Sequence, residues 1–156
     1  MDKQEYIRIV QLYIDRIYRV AVHHCSSIED AEDAVQDTFI KLLNTKKEFE
    51  DDEHVLYWLI RVCINECRSI FRHPWKKGVI PLDKIIHIGI AENADYTDLK
   101  NAINKLNSKD RSIICLFYFE GYSVREIANI LNMTETSITT RMQRIRRKLG
   151  NLLEGV

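Results

Sequence analysis

The sequence predicts an all-α protein of two small helical domains joined by a flexible linker, the C-terminal domain being a helix-turn-helix. The 156 residues include only five Gly and two Pro, the residues that most often interrupt helices. Apolar residues recur mostly at helical spacing. Both prolines fall in residues 74–98, a stretch without sustained period, which predicts a linker between residues 1–73 and 99–156.

Composition limits the class of protein. Hydrophobic residues make up 46% of the chain, enough to bury a core. No apolar run approaches the roughly eighteen residues that span a bilayer. The first five residues are not a basic segment leading into an apolar stretch, so no signal peptide is expected. We therefore expect a cytoplasmic protein.

Charge is unevenly distributed although the net charge is zero. Residues 1–73 hold 10 basic and 14 acidic side chains, whereas residues 101–156 hold 9 basic and 5 acidic ones. The basic C-terminal third indicates a polyanionic partner. The acidic N-terminal part indicates protein contacts as well.

The cysteines allow two interpretations. Cys63 and Cys67 lie one helical turn apart, and with His23 and His24 they offer the donor types of a zinc site. The alternative is that they are small buried apolar residues, which the absence of a Cys-x-x-Cys motif favours. We predict no metal or cofactor. No phosphate-binding glycine loop or nucleophile motif is present, so neither catalysis nor a small-molecule substrate is expected.

Three helices are predicted in the N-terminal domain. Ser27, followed three residues later by Asp30, predicts the start of the second helix. The third is expected to stop near Pro74. Leu12 and Ile40 are counted among the apolar helical positions. The predicted extents are about 5–25, 27–43 and 55–71, with the acidic stretch 44–53 between the last two.

A helix-turn-helix is predicted at residues 123–148, after shorter helices at about 98–106 and from Asn107 onward. Ser123 and Glu126 form a capping box, and Thr134 caps the longer helix. That helix begins with hydroxyl side chains suited to base edges and continues with arginines suited to phosphates. A helical hairpin with a solvated basic face is the alternative. The candidate DNA contacts are Thr136, Ser137, Thr139, Thr140, Arg141 and Arg144.

Residues 104–149 resemble the domain by which extracytoplasmic-function sigma factors bind the minus-thirty-five promoter element. The resemblance rests on Phe117 to Ser123, Glu126 to Ala128, and Arg141 to Arg146. Two-component response regulators share similar helix-turn-helix modules. The family often places a basic residue where Thr139 stands, so its base contacts are not carried over to that position.

Residues 30–39 resemble the helix by which sigma factors bind the clamp helices of the largest polymerase subunit. Asp33, Gln36 and Asp37 share one helical face that suits a basic partner, although an ordinary solvated acidic face is the alternative. The polymerase-binding residues that the resemblance implies are Asp33, Gln36, Asp37 and Phe39.

Residues 57–65 resemble the promoter-melting helix of the family. Asn65 matches the Asn that is expected to read a base flipped from the minus-ten element. The alternative is that Asn65 bonds only the backbone of the preceding loop. Trp58 is expected in the core, as large aromatics at helical spacing usually are. The acidic residues 50–53 depart from what a nucleic-acid pocket needs. Backbone contacts are expected from Arg61, Arg68 and Arg72.

The two resemblances, in this order and separated by one linker, imply a sigma factor. The implied partners are core RNA polymerase, through its clamp helices and beta flap, promoter DNA and an anti-sigma factor. The first domain would bind polymerase and recognise and melt the minus-ten element; the second would bind the minus-thirty-five element. A helix-turn-helix regulator that is not a sigma factor is the alternative.

Overall fold

The computed structural model describes residues 1–72 and 94–154, and all regular structure within them is helical. This confirms the predicted fold class. The chain divides into two units, Met1–Ile85 and Ile86–Val156. The described elements are α1 (Lys3–His24), α2 (Ile28–Asn44), α3 (Asp52–Arg72), α4 (Ala94–Asn104), α5 (Ser108–Ile114), a π-helical turn (Cys115–Phe119), α6 (Val124–Leu131) and α7 (Glu135–Glu154).

The first unit is a bundle in which α1, α2 and α3 each pack against the other two. Asp2 and Ser27 begin α1 and α2 by accepting the backbone N–H of the residue three positions later. The core contains fully buried side chains, each of which contributes about 1.5–3 kcal/mol on burial. These include Ile9, Ile17, Leu42, Leu59 and Ile60.

Two apolar residues of the predicted stripes lie outside this core. Leu12 is 53% exposed and Ile40 is 45% exposed. Both sit on a helical face turned away from the other helices, so these two apolar positions do not belong to the core.

In the second unit, α7 packs against α4, α5 and α6. The π-helical turn follows α5 directly and continues it with a wider helical turn. Two residues after the π-helical turn, Gly121 has a φ of +74°, a backbone conformation that residues with a side chain rarely adopt. Residues 74–93 of the predicted linker lie outside the described residues. Its last five residues, 94–98, belong to α4, which begins before the predicted Asp98.

The turn of the helix-turn-helix forms as predicted. Ser123 and Glu126 make the reciprocal capping box that begins α6. Asn132 ends α6 in the left-handed region at φ 55°. Thr134 then accepts the N–H of Ser137 at 3.1 Å and begins α7. In the described part of the chain, no helix has the length and apolarity needed to cross a membrane.

Candidate polymerase and promoter interfaces

The exposed side of α2 carries three of the four residues predicted to bind polymerase. Asp33, Gln36 and Asp37 are exposed, whereas Thr38 on the opposite side is fully buried. Phe39 is only 5% exposed, and its carbonyl accepts the hydroxyl of Tyr6 at 3.0 Å. Its ring therefore lies inside the unit and does not share the polar face.

Ile40 shares that polar face and was missed as a surface residue. It lies seven residues, or about two turns, after Asp33 on the same line of the helix. Leu43, one turn further, is 58% exposed. We call Asp33, Gln36, Asp37 and Ile40 the α2 face. Along the helix, this face changes from acidic to apolar side chains. The sequence indicated the exposure of Ile40, because Ile40 follows the polar Asp33 by seven residues and therefore lies on the same side of the helix.

One side of α3 forms a second partly exposed surface. Asn65 is exposed while its neighbour Ile64 is buried, and it lies two turns beyond Trp58 on the same line of the helix, about 10 Å along the axis. Arg61 and Arg68 border this line. We call Trp58, Arg61, Asn65 and Arg68 the α3 face.

The loop before α3 leans against the start of this face. The ring of Phe49 packs edge-to-face on His54 and Trp58, with centroid distances of 5.3 and 5.5 Å. Trp58 is half-buried rather than part of the core. Asn65 itself is exposed and accessible to either predicted role, reading a base or bracing the loop.

Most acidic residues at this end of α3 have partners inside the protein. Asp51 accepts the backbone N–H of His54 at 2.8 Å and so caps α3. Asp52 accepts two hydrogen bonds from Arg8, at 2.7 and 3.0 Å. Glu53 accepts the Tyr57 hydroxyl at 2.7 Å. These carboxylates therefore stabilise the start of α3 through hydrogen bonds within the protein. The linear sequence did not indicate this role.

Electrostatics tie the starts of α1 and α3 together. The hydrogen bonds from the Arg8 guanidinium lower the pKa of both Asp52 and Glu5. The same bonds raise the pKa of Arg8. All three groups are exposed, so the interaction is screened by salt.

The three arginines predicted beside Asn65 are not equally available. Arg61 and Arg68 are half-buried, and each already makes polar or charged interactions within the protein. Arg72 is the last residue of α3, and its side chain lies outside the described part. On the neighbouring helix, Lys41 pairs with Glu66, the residue after Asn65.

The recognition helix α7 presents its hydroxyl residues at its start. Thr136 and Thr140 are exposed, and Ser137 is half-buried. Thr139 is exposed but donates its hydroxyl to the carbonyl of Glu135 at 3.0 Å. Thr139 also lies at the flank of the helix rather than opposite the buried Ile138.

A buried carboxylate forms ion pairs with two of the arginines that were predicted to bind DNA. Asp110 on α5 has a side chain only 5% exposed, and it accepts Arg141 at 3.0 Å and Arg144 at 3.5 Å. The side chain of Arg141 is 28% exposed and that of Arg144 is 61% exposed. Arg141 therefore joins α7 to α5, whereas Arg144 keeps most of its surface open to solvent.

Arg147, one of the arginines expected to contact phosphates, and Gln143 lie on the outward side of α7. Gln143 and Arg147 are exposed and lie opposite the buried stripe that includes Met142 and Ile145. The spacing from that stripe was sufficient to find them. The outward line of the helix, which we call the α7 face, comprises Thr136, Thr140, Gln143 and Arg147.

Arg146 is engaged differently from Arg147. Its Nε donates to the hydroxyl of Tyr118 at 3.0 Å. Its guanidinium also lies 5.8 Å from the ring centre of Phe117 and 6.0 Å from that of Tyr118. These contacts attach the middle of α7 to the π-helical turn.

The chain matches two family models in the same order as its two units. Residues 9–77 match Sigma-70 region 2, and residues 96–149 match Sigma-70, region 4. Among curated relatives, the ECF RNA polymerase sigma factor SigM of Mycobacterium tuberculosis is 24% identical, covering 97% of this chain and 79% of the relative. SigW of Bacillus subtilis is 25% identical, covering 97% and 90%.

Solved structures give the same answer. The sigma factor RpoE of Bartonella quintana, in complex with the anti-sigma factor NepR, is similar with a TM-score of 0.75 and 28% identity, covering 97% of this chain and 98% of that one. CnrH, in complex with the cytosolic domain of CnrY, shares the fold with a TM-score of 0.74 and 22% identity, covering 99% and 90%. The resemblance predicted from the sequence is confirmed: the chain belongs to the extracytoplasmic-function group of RNA polymerase sigma factors.

Proposed function

We propose that this sigma factor binds core RNA polymerase through the α2 face and directs it to promoters through the α3 and α7 faces, catalysing no reaction itself. The observation that carries the proposal is the α7 face, where hydroxyl, amide and guanidinium groups stand opposite a wholly apolar buried stripe of a helix-turn-helix. Such a helix fits the major groove. We place its action in the cytoplasm, where transcription occurs.

The α2 face suits the clamp helices of the largest subunit. Asp33 and Asp37 supply negative charge for a basic partner surface, and Gln36 supplies an amide between them. Ile40 adds an exposed apolar contact at the C-terminal end of this face. Phe39 contributes from inside, because its burial fixes the helix that carries the other residues.

The α3 face suits a single-stranded base of the minus-ten element. The amide of Asn65 can both donate to and accept from a base edge. Trp58, half-buried under Phe49, provides an aromatic surface two turns away. Arg61 and Arg68 border the same surface, and we assign them, together with Arg72 at the end of α3, to the phosphate backbone.

The α7 face suits the minus-thirty-five element. Thr136, Ser137, Thr140 and Gln143 have short polar or amide groups that reach base edges. Arg144 and Arg147 are exposed enough to contact phosphates. We place Thr139 at the rim of this contact. The second unit is also proposed to contact the beta flap of polymerase.

We propose that an anti-sigma factor controls the protein. RpoE was solved in complex with the anti-sigma factor NepR, and CnrH was solved in complex with the cytosolic domain of CnrY. An acidic to apolar surface such as the α2 face is one that a competing protein can cover, which would prevent assembly with polymerase.

Run-off transcription tests the proposal. Core polymerase with and without this protein is presented with a genomic promoter library, and transcript starts are sequenced. We expect a discrete set of starts only when the protein is present. Specific DNA binding without new starts, and without capture of core polymerase, would favour a regulator that is not a sigma factor.

A further inference from the structure

Three thiols meet in the first unit, outside every surface discussed above. Cys25 follows the last residue of α1, is half-buried and has extended backbone at φ −103°, ψ 160°. Cys63 and Cys67, on α3, are 0% and 2% exposed. The thiols of Cys25 and Cys63 adjoin that of Cys67. Cys63 also donates to the carbonyl of Ile17 at 3.7 Å.

Backbone geometry selects one pair for a covalent bond. Cys63 and Cys67 are one turn apart on the same helix, which holds their Cβ atoms about 5–6 Å apart. A disulfide needs about 3.5–4.5 Å between Cβ atoms. Cys25 lies just beyond the end of α1, whereas the Cys63 thiol is held on the carbonyl of Ile17, about two turns earlier on α1. Cys25 and Cys67 are therefore the pair that can join.

We propose that Cys25 and Cys67 form an oxidation site, at which a peroxide converts the two thiols into a disulfide linking the end of α1 to α3. The Cys25 sulfur attacks one peroxide oxygen, the O–O bond breaks, and a sulfenic acid and one water result. The Cys67 sulfur then attacks the Cys25 sulfur. The S–S bond forms as the S–O bond breaks, and the departing hydroxide takes the Cys67 proton to become a second water.

The environment sets the order and pace of these steps. Cys25 is the most exposed of the three thiols and meets the oxidant first. Hydrogen bonds to Cys25 and Cys63, together with burial, raise the pKa of Cys67. Little thiolate is therefore present at neutral pH, and disulfide formation should accelerate as the pH rises. In a reducing compartment the bond would be transient and would report oxidant exposure.

The second unit offers a matched comparison. Burial raises the pKa of the Cys115 thiol to about 11. Cys115 belongs to the π-helical turn, and the three clustered cysteines all lie in the first unit. Cys115 should therefore stay reduced under conditions that join Cys25 to Cys67.

Mass spectrometry of the full-length chain tests the site. Dilute protein is treated with hydrogen peroxide at neutral and alkaline pH, digested without reductant and mapped. We expect the monomer to lose two hydrogen atoms, a Cys25–Cys67 peptide to appear faster at alkaline pH, and dithiothreitol to reverse both. The cross-link should also raise the melting temperature of the first unit by at least about 5 °C.

Variants sharpen the result. Cys63→Ser and Cys115→Ser should keep the Cys25–Cys67 peptide, whereas Cys25→Ser should lose it. A Cys63–Cys67 peptide, chains joined through Cys25, or a Cys25 sulfinic acid as the sole product would each overturn the proposal. The wild-type peptide map requires no variant to fold.

Discussion

Single side chains decide what the arginines of α7 do. Asp110 is buried and carries a charge, which is unfavourable unless partners satisfy it. Arg141 provides the shorter of its two arginine contacts, at 3.0 Å, and Asn107 adds a further hydrogen bond at 3.0 Å from its amide. An arginine that satisfies a buried carboxylate is chiefly structural, whereas the exposed Arg147 is open to DNA.

Arg141→Ala and Arg147→Ala should therefore differ in kind. Removing Arg141 leaves the Asp110 carboxylate poorly compensated and should destabilise the second unit by about 1–3 kcal/mol. Removing Arg147 should leave the melting temperature nearly unchanged but weaken DNA binding at all sequences, lowering the salt slope by about one. Thermal unfolding and salt-dependent binding, measured on both variants, check this. Equal stability of Arg141→Ala and wild type would contradict the structural role.

The variant Asn65→Ala should show whether Asn65 reads a promoter base or stabilises the fold. Because Asn65 is exposed, a base-reading role predicts an unchanged melting temperature and normal assembly with polymerase. Promoter opening should slow, and discrimination at one promoter position should fall by about 1–3 kcal/mol if a bidentate contact is lost. Permanganate reactivity on single-base promoter variants measures this. Ser69→Ala, an exposed change one turn further along α3, is the control; equal losses on every promoter variant would rule out base reading.

Residue-level roles show where prediction from sequence stops. Caps such as Ser27 and Ser123 were predicted correctly, because a cap depends on residues three positions apart. The Asp110–Arg141 contact joins residues 31 positions apart and leaves no local pattern. The clustering of Cys25 with Cys67 is of the same kind.

At the scale of elements, the capping box sets the position of α7. Ser123 accepts the N–H of Glu126 at 3.1 Å, and Glu126 accepts that of Ser123 at 3.1 Å. Together with the left-handed Asn132, this fixes both ends of α6, the helix that supports the recognition helix. A loosened start of α6 would therefore displace the α7 face.

Ser123→Ala should cost about 1 kcal/mol of stability in the second unit, because a helix N–H loses its acceptor. Glu126→Gln is the matched control, since glutamine keeps the reciprocal bond of a capping box. Thermal unfolding of both variants measures the difference. If Ser123→Ala lost no more stability than Glu126→Gln, the hydrogen bond from the Glu126 N–H to the Ser123 hydroxyl would not have the stabilising role assigned to it.

The contact between the starts of α1 and α3 predicts a dependence on pH. Arg8 holds the pKa of Asp52 and Glu5 below their ordinary values of 3.8 and 4.5. The contact therefore stabilises the fold above those values and is lost as the pH falls through the lowered ones. We expect the melting temperature of wild type to approach that of Arg8→Gln on acidification below about pH 4. A constant difference between the two proteins down to about pH 2 would contradict this.

For the whole molecule, the uneven charge separates two kinds of partner. Residues 1–73 carry an excess of acidic groups, and residues 101–156 carry an excess of basic ones. The acidic excess is partly used inside the protein, by Arg8 and by the cap of α3, so net charge alone overstates what a partner meets. Asp33 and Asp37 on the α2 face are exposed, although each also makes an interaction within the protein, and their negative charge beside Ile40 favours polymerase over nucleic acid as the partner.

Asp37→Arg tests this assignment in the complete assembly. An exposed charge swap should change folding stability by less than about 0.5 kcal/mol. At an interface with a basic surface, however, it sets like charges together, and affinity for core polymerase should fall at least about tenfold, with most of the effect lost at high salt. Titration of labelled core polymerase with the full-length variants measures this.

The matched control is Asp15→Arg, the same change at an exposed position of α1. It alters the net charge of the protein equally but lies outside the α2 face, so it separates local contact from overall charge. Ile40→Ala should also weaken binding, with little dependence on salt, because its contribution is apolar. If Asp15→Arg weakened binding as much as Asp37→Arg, the attraction would be general and the α2 face would lose its proposed role. A loss confined to Asp37→Arg and Ile40→Ala would place the contact on one line of one helix.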